Sequence, residues 1–331
     1  MIFNKFFILF KIGRKIGKSN IINIVSETHK IPVFIKLFFN LLAFSFSSSN
    51  NTKSKGKENL SESIQEMGTT FIKLGQFLAT RPDIIGEKLS KELESLQDKL
   101  PPFSKKEAEK IIIENLGQSN FDDIIDLSEP IAAASIAQVH KAKIKEDNII
   151  KNVAIKVLRP NIKKIFNDEI DAIMLLAYIV ESLISKTKRL KLIEVVFLFK
   201  EITNHEMDLR FEAAAANEYA ENTKNDLGFF VPKIYWNFTS ESVLTLDWVD
   251  GVSIREKDLL KEKNIETSKI ATNLIQHFLR HAVRDGFFHA DMHQGNIFIN
   301  ESSQIVPIDF GIMGRIDKLS RRYLAEILYG F

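Results

Sequence analysis

Residues 289–311 limit what this chain can fold into more tightly than any other stretch. They read His289-Ala290-Asp291-Met292-His293-Gln294-Gly295-Asn296, then Ile297-Phe298-Ile299, a polar turn, and Ile305-Val306-Pro307-Ile308-Asp309-Phe310-Gly311. Two short apolar runs joined by a polar turn predict a β-hairpin, which fixes the distance between Asn296 at its entrance and Asp309 at its exit. An Asp followed five residues later by an Asn, with Asp-Phe-Gly beyond the hairpin, has the layout of a phosphoryl-transfer site. Asp291 is the candidate for accepting or orienting the proton of an attacking hydroxyl. Asn296 and Asp309 are hard oxygen donors of the kind Mg²⁺ takes together with substrate phosphates. A single turn carboxylate or amide at a hairpin end is commonplace. Three in this order are not.

The chain has 331 residues, enough for two or three domains and a substantial core. A net charge of +2, with basic residues scattered, gives no nucleic-acid signature, so no nucleic-acid partner is expected. There is no Cys, which excludes disulfides and thiolate metal sites. Phe is concentrated near the start, where residues 1–25 also carry Lys5, Lys11, Arg14, Lys15 and Lys18 and no acid precedes Glu27. Residues 31–46 are largely apolar but include Lys36 and Asn40, and fall short of the ~20 residues that span a bilayer. An interfacial membrane segment, a helix docked on the core and a targeting presequence all fit this composition.

Residues 47–59 are polar throughout and read as a linker. Leu60, Ile64, Met67, Phe71, Leu74 and Leu78 then recur at helical spacing, predicting one amphipathic helix. It carries Lys73-Leu74-Gly75-Gln76, with Lys73 and Gln76 on one face and Gly75 allowing the close approach of another backbone. A second helix is expected from Ile85 to Leu100, and Ser104 with Glu107 forms a capping box for a third, ending at Gly117.

Strand patterns follow. Ile131 and the run Ala132, Ala133, Ala134, Ser135, Ile136, Ala137, Gln138, Val139, His140 join two β segments through a turn of small residues. Residues 152–158 form a third strand, in which Val153, Ile155 and Val157 share one face and Lys156 points to the other. Val153-Ala154-Ile155-Lys156 ahead of Asp291 and Asp309 is the order of an ATP-anchoring lysine and its catalytic loop. Two long helices are predicted over residues 162–185 and 190–222. The second contains Glu206, Asp208, Glu212 and four alanines; Asp208 and Glu212, four apart, stack on one face toward cations in the cleft, Lys156 foremost. Residues 231–235 and 243–246 are expected as the last strands of a small antiparallel sheet. Residues 247–251 would form a hinge whose backbone reads an adenine edge, and residues 257–285 are mostly helical. With only twenty residues after Gly311, the second half of a helical lobe is expected to be missing.

Together these residues resemble the UbiB family of atypical, kinase-like proteins of ubiquinone biosynthesis. The resemblance rests on Lys73-Leu74-Gly75-Gln76 (K-x-G-Q), the alanine loop where ordinary kinases have glycines, Val153 to Lys156, Glu206-Met207-Asp208 (E-x-D), the His289–Asn296 stretch and Asp309-Phe310-Gly311. It implies an α+β, bilobal kinase-like fold with a helical N-terminal extension. It further implies that Lys156 contacts ATP phosphates and pairs with Glu212, that Asp291 is the acidic residue of the catalytic loop, and that Asn296 and Asp309 hold Mg²⁺. The alanine loop, residues 132–140, would contact ATP, and Lys73, Gln76, Glu206 and Asp208 would line an element covering the cleft. Gln294 and Asp247 stand where the family usually has Pro and often has Glu, and the family's later helices and C-terminal transmembrane pair are expected to be missing here. The sequence also argues against ordinary protein-kinase behaviour, because Ala290 replaces the Arg that would receive a phosphorylated activation loop.

The domains expected are a basic, aromatic membrane-associating segment (1–46), a linker (47–59), the K-x-G-Q extension (60–120), an N-lobe with inserted helices (121–251) and a partial C-lobe (252–331). The expected activity is an ATP-dependent kinase or ATPase supporting ubiquinone synthesis. Its partners would be ATP or ADP, membrane lipid or ubiquinone precursors, and ubiquinone-biosynthesis enzymes. Its place would be the cytoplasmic face of a bacterial inner membrane, or the matrix side of the mitochondrial one. A small-molecule phosphotransferase of the aminoglycoside or choline kinase type shares the catalytic-loop spacing. A non-catalytic nucleotide-binding scaffold is the reading from a different class.

Overall fold

A computed structural model of the protein describes residues 2–18, 60–96, 100–183 and 185–330. The linker at 47–59 and the apolar stretch at 31–46 lie outside the described residues. The chain divides into two compact units: Met1–Pro101 with Ala133–Ile136 and Arg159–Asn204, and Pro102–Ala132 with Ala137–Leu158 and His205–Phe331.

The first unit is helical. The predicted helix from Leu60 to Leu78 is two, Leu60–Met67 and Thr69–Ala79, because Gly68 adopts φ 100°, which ends one helix and opens the next. The next predicted helix is likewise broken into Pro82–Ile85 and Glu87–Leu93 by Gly86 at φ 83°. The close approach expected at Gly75 is made by a side chain, since a Cβ there would lie 2.4 Å from Leu96 Cδ1. Helix Ile2–Lys18 packs Ile12, with Ile8, Leu9 and Ile16, against Met67, Phe71 and Ala172 of the long helix Ile162–Leu183. Its Phe7 and Phe10 are exposed. Among the described residues no helix is long and apolar enough to cross a membrane. The tip of the alanine turn belongs to this unit. There the Thr69 hydroxyl donates to the Ser135 carbonyl at 3.2 Å, and the Arg159 guanidinium donates to the Ala134 carbonyl at 3.1 and 2.8 Å.

The second unit is built on a five-stranded sheet, β1 (Ile124–Ile125), β2 (Pro130–Ala133), β3 (Ala137–Glu146), β4 (Ile149–Leu158) and β5 (Val243–Asp247), ordered β1-β3-β4-β5 with β2 also on β3. β3 and β4 pair antiparallel from Ala137↔Leu158 to Glu146↔Ile149. Asp147 and Asn148 close this hairpin at positive φ, the backbone that matches strand twist in a two-residue turn. Ile144, Val153, Ile155 and Val157 turn one face into a core with Ile112 of helix Lys105–Leu116, Tyr235 and Phe238. That helix starts with both bonds of the predicted capping box between Ser104 and Glu107. Residues 231–235 contribute only an isolated bridge, Ile234↔Leu246, rather than the expected strand. Pro232 lacks the N–H a ladder needs, and the Lys233 N–H donates to the Asp247 carboxylate.

Beyond the sheet come β6 (Gly251–Ser253), helices Lys257–Glu262 and Thr267–Arg280, a π-helical turn His281–Asp285, and β7 (Phe287–His289). The hairpin predicted from Ile297 and Ile305 is β8 (Ile297–Asn300) and β9 (Ile305–Pro307), extended by β6 on its other side. β10 (Met313–Arg315) pairs with β7, and helix Lys318–Gly330 follows.

Candidate active site

Alternation on β4 buries Val153, Ile155 and Val157 and turns Lys156 to the opposite face, as the period of a strand requires. There its Nζ lies 2.9 Å from both Glu212 carboxylate oxygens and 3.2 Å from Asp309 Oδ2. Glu212 is buried, and the Phe310 N–H also donates to it at 3.4 Å. Burial works to deprotonate the Lys156 ammonium, but Asp309 and Glu212 outweigh it and hold the lysine charged. Burial and the charge of Asp309 push Glu212 upward against the pull of Lys156. Burial also acts to raise Asp309, yet Lys156 and the Gly311 N–H hold it down at about 2. The Asp309 side chain remains 43% exposed, so its carboxylate is open to a ligand.

Glu212 reaches Lys156 from helix Leu209–Thr223, and here the expected geometry is corrected. The predicted helix over 190–222 is two helices, Leu192–Glu206 and Leu209–Thr223. Asp208 is the N-cap of the second: its carboxylate accepts the Arg210 N–H at 3.1 Å and the Arg210 guanidinium at 2.9 and 2.7 Å. Asp208 and Glu212 are therefore not two acids stacked on one helical face. The break is set by the Leu209 N–H, which donates to the Glu241 carbonyl at 3.0 Å.

The loop between β7 and β8 brings Asp291 and Asn296 together. Asn296 Nδ2 donates to the Asp291 backbone oxygen at 3.2 Å and to its Oδ2 at 3.1 Å, which leaves the Asn296 carbonyl oxygen to face a ligand. His289 joins this loop to Asp309. Its Nδ1 accepts the Asp291 N–H at 3.1 Å, so the proton sits on Nε2, which donates to the Asp309 carbonyl at 2.6 Å. Burial pushes His289 down and keeps it neutral. The sequence reading gave His289 no role; its partner is twenty residues away, and only the fold brings the two together.

The alanine run divides. Gln138 and His140 are buried, bonded to each other at 2.9 Å, to the Phe103 backbone and to the Ser128 carbonyl. Their side chains are thus bonded within the protein, on the face that the two-residue period of β3 turns into the sheet core. Val139 and Lys141 lie on the other face. Ala133, Ala134, Ser135 and Ile136 belong to the first unit, as do Lys73 and Gln76, which sit half-buried on helix Thr69–Ala79 either side of the buried Gly75. Glu206 and Asp208 fall in the second unit. At the expected hinge, the Trp248 N–H donates to Asn152, and Asp247 accepts the Tyr235 hydroxyl at 2.6 Å.

This arrangement joins a strand lysine, a helix glutamate, a catalytic-loop Asp and Asn and an Asp-Phe-Gly. The model of the ABC1 atypical kinase-like domain matches residues 95–331. The chain belongs to the ABC1 atypical kinase-like family. Its similarity to UbiB proteins, read first from motifs, is borne out by relatives named probable protein kinase UbiB. That of Marinobacter nauticus is 35% identical over 307 residues, covering 91% of this chain and 55% of the relative. That of Actinobacillus pleuropneumoniae is 37% identical over 277 residues, covering 81% and 51%. That of Pseudomonas paraeruginosa is 31% identical over 329 residues, covering 98% and 61%. The chain thus spans between half and three-fifths of the length of these ABC1 relatives. A solved structure described as the complex of Rv3197 with erythromycin from Mycobacterium tuberculosis matches at a TM-score of 0.56 and 24% identity, over 78% of this chain and 66% of that one. It supports the kinase-like α+β fold.

Proposed function

We propose that this chain is an ATP-dependent atypical kinase or ATPase that supports ubiquinone biosynthesis at a membrane. The observation that carries this reading is the placement of Lys156 between Glu212 and Asp309, with Asn296 held against Asp291. The donor set suits Mg²⁺: one open carboxylate, one amide oxygen, and room for phosphate oxygens to complete the shell. Asn296 and Asp309 would hold the ion, whose chemistry when bound is to neutralise charge on the phosphates. Lys156, fixed by Glu212, anchors phosphate oxygens. Asp291 orients the attacking hydroxyl or water and takes its proton as the terminal phosphoryl group leaves ADP. The UbiB relatives support the link to ubiquinone biosynthesis, from which we infer ubiquinone precursors and the enzymes that process them as partners. The exposed Phe7 and Phe10 beside Lys11 support an interfacial contact with lipid, which we place at the cytoplasmic face of a bacterial inner membrane.

The test is a thermal-shift titration of the chain with ATP and ADP, each with and without Mg²⁺, followed by a phosphate-release assay. Mg²⁺-dependent stabilisation by ATP, with slow phosphate release lost in Asp291→Asn, is expected. Equal melting curves under all four conditions would refute the reading.

A further inference from the structure

Helix Leu209–Thr223, which aims Glu212 at Lys156, is held a second time by a residue to which the reading above assigns nothing. Arg315 ends β10, four residues beyond Gly311, and stands opposite Phe287 of β7. Its guanidinium lies 4.3 Å from the centroid of the Phe287 ring and reaches on to Glu218, with Nη1 donating to Oε1 at 2.8 Å and Nη2 donating to Oε2. This is the two-pronged match of guanidinium and carboxylate, and the ring gives the guanidinium a surface to rest on. Phe287 is buried and edge-on to Tyr219, the neighbour of Glu218 on the helix. The strand that carries Arg315 is itself fixed. The Ala290 N–H donates to the Ile312 carbonyl at 3.1 Å, and Gly314 lies so close to Phe288 that a Cβ there would meet the ring at 2.4 Å.

Glu218 follows Glu212 by six residues, about 9 Å along the helix axis and about a third of a turn away around it. One tie leaves a helix free to roll about it. Two ties this far apart, on different faces, set both its roll and its slide. Near the Glu212 end the Phe310 N–H donates to the Glu212 carboxylate at 3.4 Å, and Arg315 holds the other end. The segment from Phe310 to Arg315 therefore grips the helix twice.

A kinase-type site needs its lysine–glutamate pair and its Asp-Phe-Gly aspartate in place together, and ordinary protein kinases secure this by phosphorylating the segment after Asp-Phe-Gly. Here Ala290 stands where the arginine that receives such a phosphate would be. The Glu218–Arg315 fork joins the same two parts, helix and segment, with no modification. Its side chains are 40% and 65% exposed, so the pair adds little to global stability, and its effect falls on the aim of the helix.

We propose that Arg315 and Glu218 are positioning residues, whose ion pair ties the Glu212 helix to the segment after Asp-Phe-Gly and so keeps Glu212 on Lys156. The proposal rests on the phosphoryl-transfer reading of the site. The test exchanges the charges in the whole chain: Arg315→Glu, Glu218→Arg, and the double variant carrying both. Each single variant sets like charges side by side. It should weaken ATP binding in the presence of Mg²⁺ about fivefold by calorimetry, the size an exposed fork can carry, and speed amide hydrogen exchange across 209–223. The double variant restores the pair with its charges exchanged and should recover most of both losses. Unfolding midpoints of all three should stay within about 3 °C of the wild type, whereas a purely structural pair would lower midpoint and affinity together. An affinity loss that only follows a fallen midpoint would overturn the proposal. So would a double variant no better than the singles, or singles that bind ATP as the wild type does. If the wild type binds no ATP, the phosphoryl-transfer reading fails instead. Exchange then decides the tie alone: faster in the singles and recovered in the double variant supports it, and any other pattern overturns it. Arg315→Gln, which keeps a side chain on Phe287 without the charge, should weaken binding in the same direction, and is the deciding variant if a reversal does not fold.

Discussion

Lys156 and Glu212 form a buried, two-pronged ion pair, with the ammonium 2.9 Å from each carboxylate oxygen. The side chains are 17% and 8% exposed, so water does little to soften the loss of either partner. Lys156→Met would strand Glu212 beside Asp309, two acids without the cation between them. Destabilisation by about 1–3 kcal/mol in urea unfolding is expected. Adding Glu212→Gln should recover part of that loss, because an amide is cheaper to bury than a lone carboxylate. An unchanged unfolding midpoint for Lys156→Met would mean that the pair does not hold β4 to its helix.

Asp309→Asn keeps the size of the side chain and removes its charge. The Mg²⁺-dependent part of ATP binding should disappear, while ATP without Mg²⁺ binds at least as well as in the wild type. Calorimetric titration under both conditions reads this directly. Equal Mg²⁺ dependence in the two proteins would move the metal site elsewhere.

Stability should fall as pH drops from 7 toward 4. His281 titrates near 4 in the fold, against roughly 6.5 when unfolded. Between those values the unfolded chain binds the extra proton, so the stabilisation is complete above about 6.5 and is lost as pH falls through the window. On the order of 3 kcal/mol is at stake for this fully buried ring. His140, His277 and His289 are pushed the same way by burial and steepen the slope. His281→Gln should flatten the curve of unfolding free energy against pH, and an identical slope would contradict the assignment.

Gly251→Ala should cost about 1–3 kcal/mol, because its Cβ would lie 2.6 Å from the Ile299 carbonyl oxygen, a backbone atom that cannot swing aside. Gly330→Ala, with nothing within 4 Å, serves as the control and should change stability by less than about 0.5 kcal/mol. Denaturant unfolding of the two variants checks both.

Much of the second unit was legible in the sequence where local rules set the outcome. Alternation gave the side on which Lys156 emerges, and the capping box gave the start of helix Lys105–Leu116. Apolar runs around a polar turn gave β8 and β9. Misreadings arose where a distant bond decided. Residues 190–222 favour helix throughout, yet the Leu209 N–H is drawn to Glu241, 32 residues on, and the helix restarts. The buried contacts of His281 with Tyr219 and Asp226 were invisible because the three lie on a π-helical turn, a helix and a loop. The resemblance supplied residues 132–140 as one window, and only the side-chain period separates Gln138 and His140, which turn into the sheet core, from their neighbours.

The break at Asp208 has a further consequence. Successive helix residues are about 100° apart around the axis. A helix running unbroken from residue 190 would inherit its rotational phase from the far end, and any slip of one residue would swing Glu212 away from Lys156. Restarting at Leu209, capped by Asp208 one turn before Glu212, resets that phase locally. Insertions or deletions in helix Leu192–Glu206 can then leave the aim of Glu212 untouched, whereas a single-residue insertion between Asp208 and Glu212 cannot.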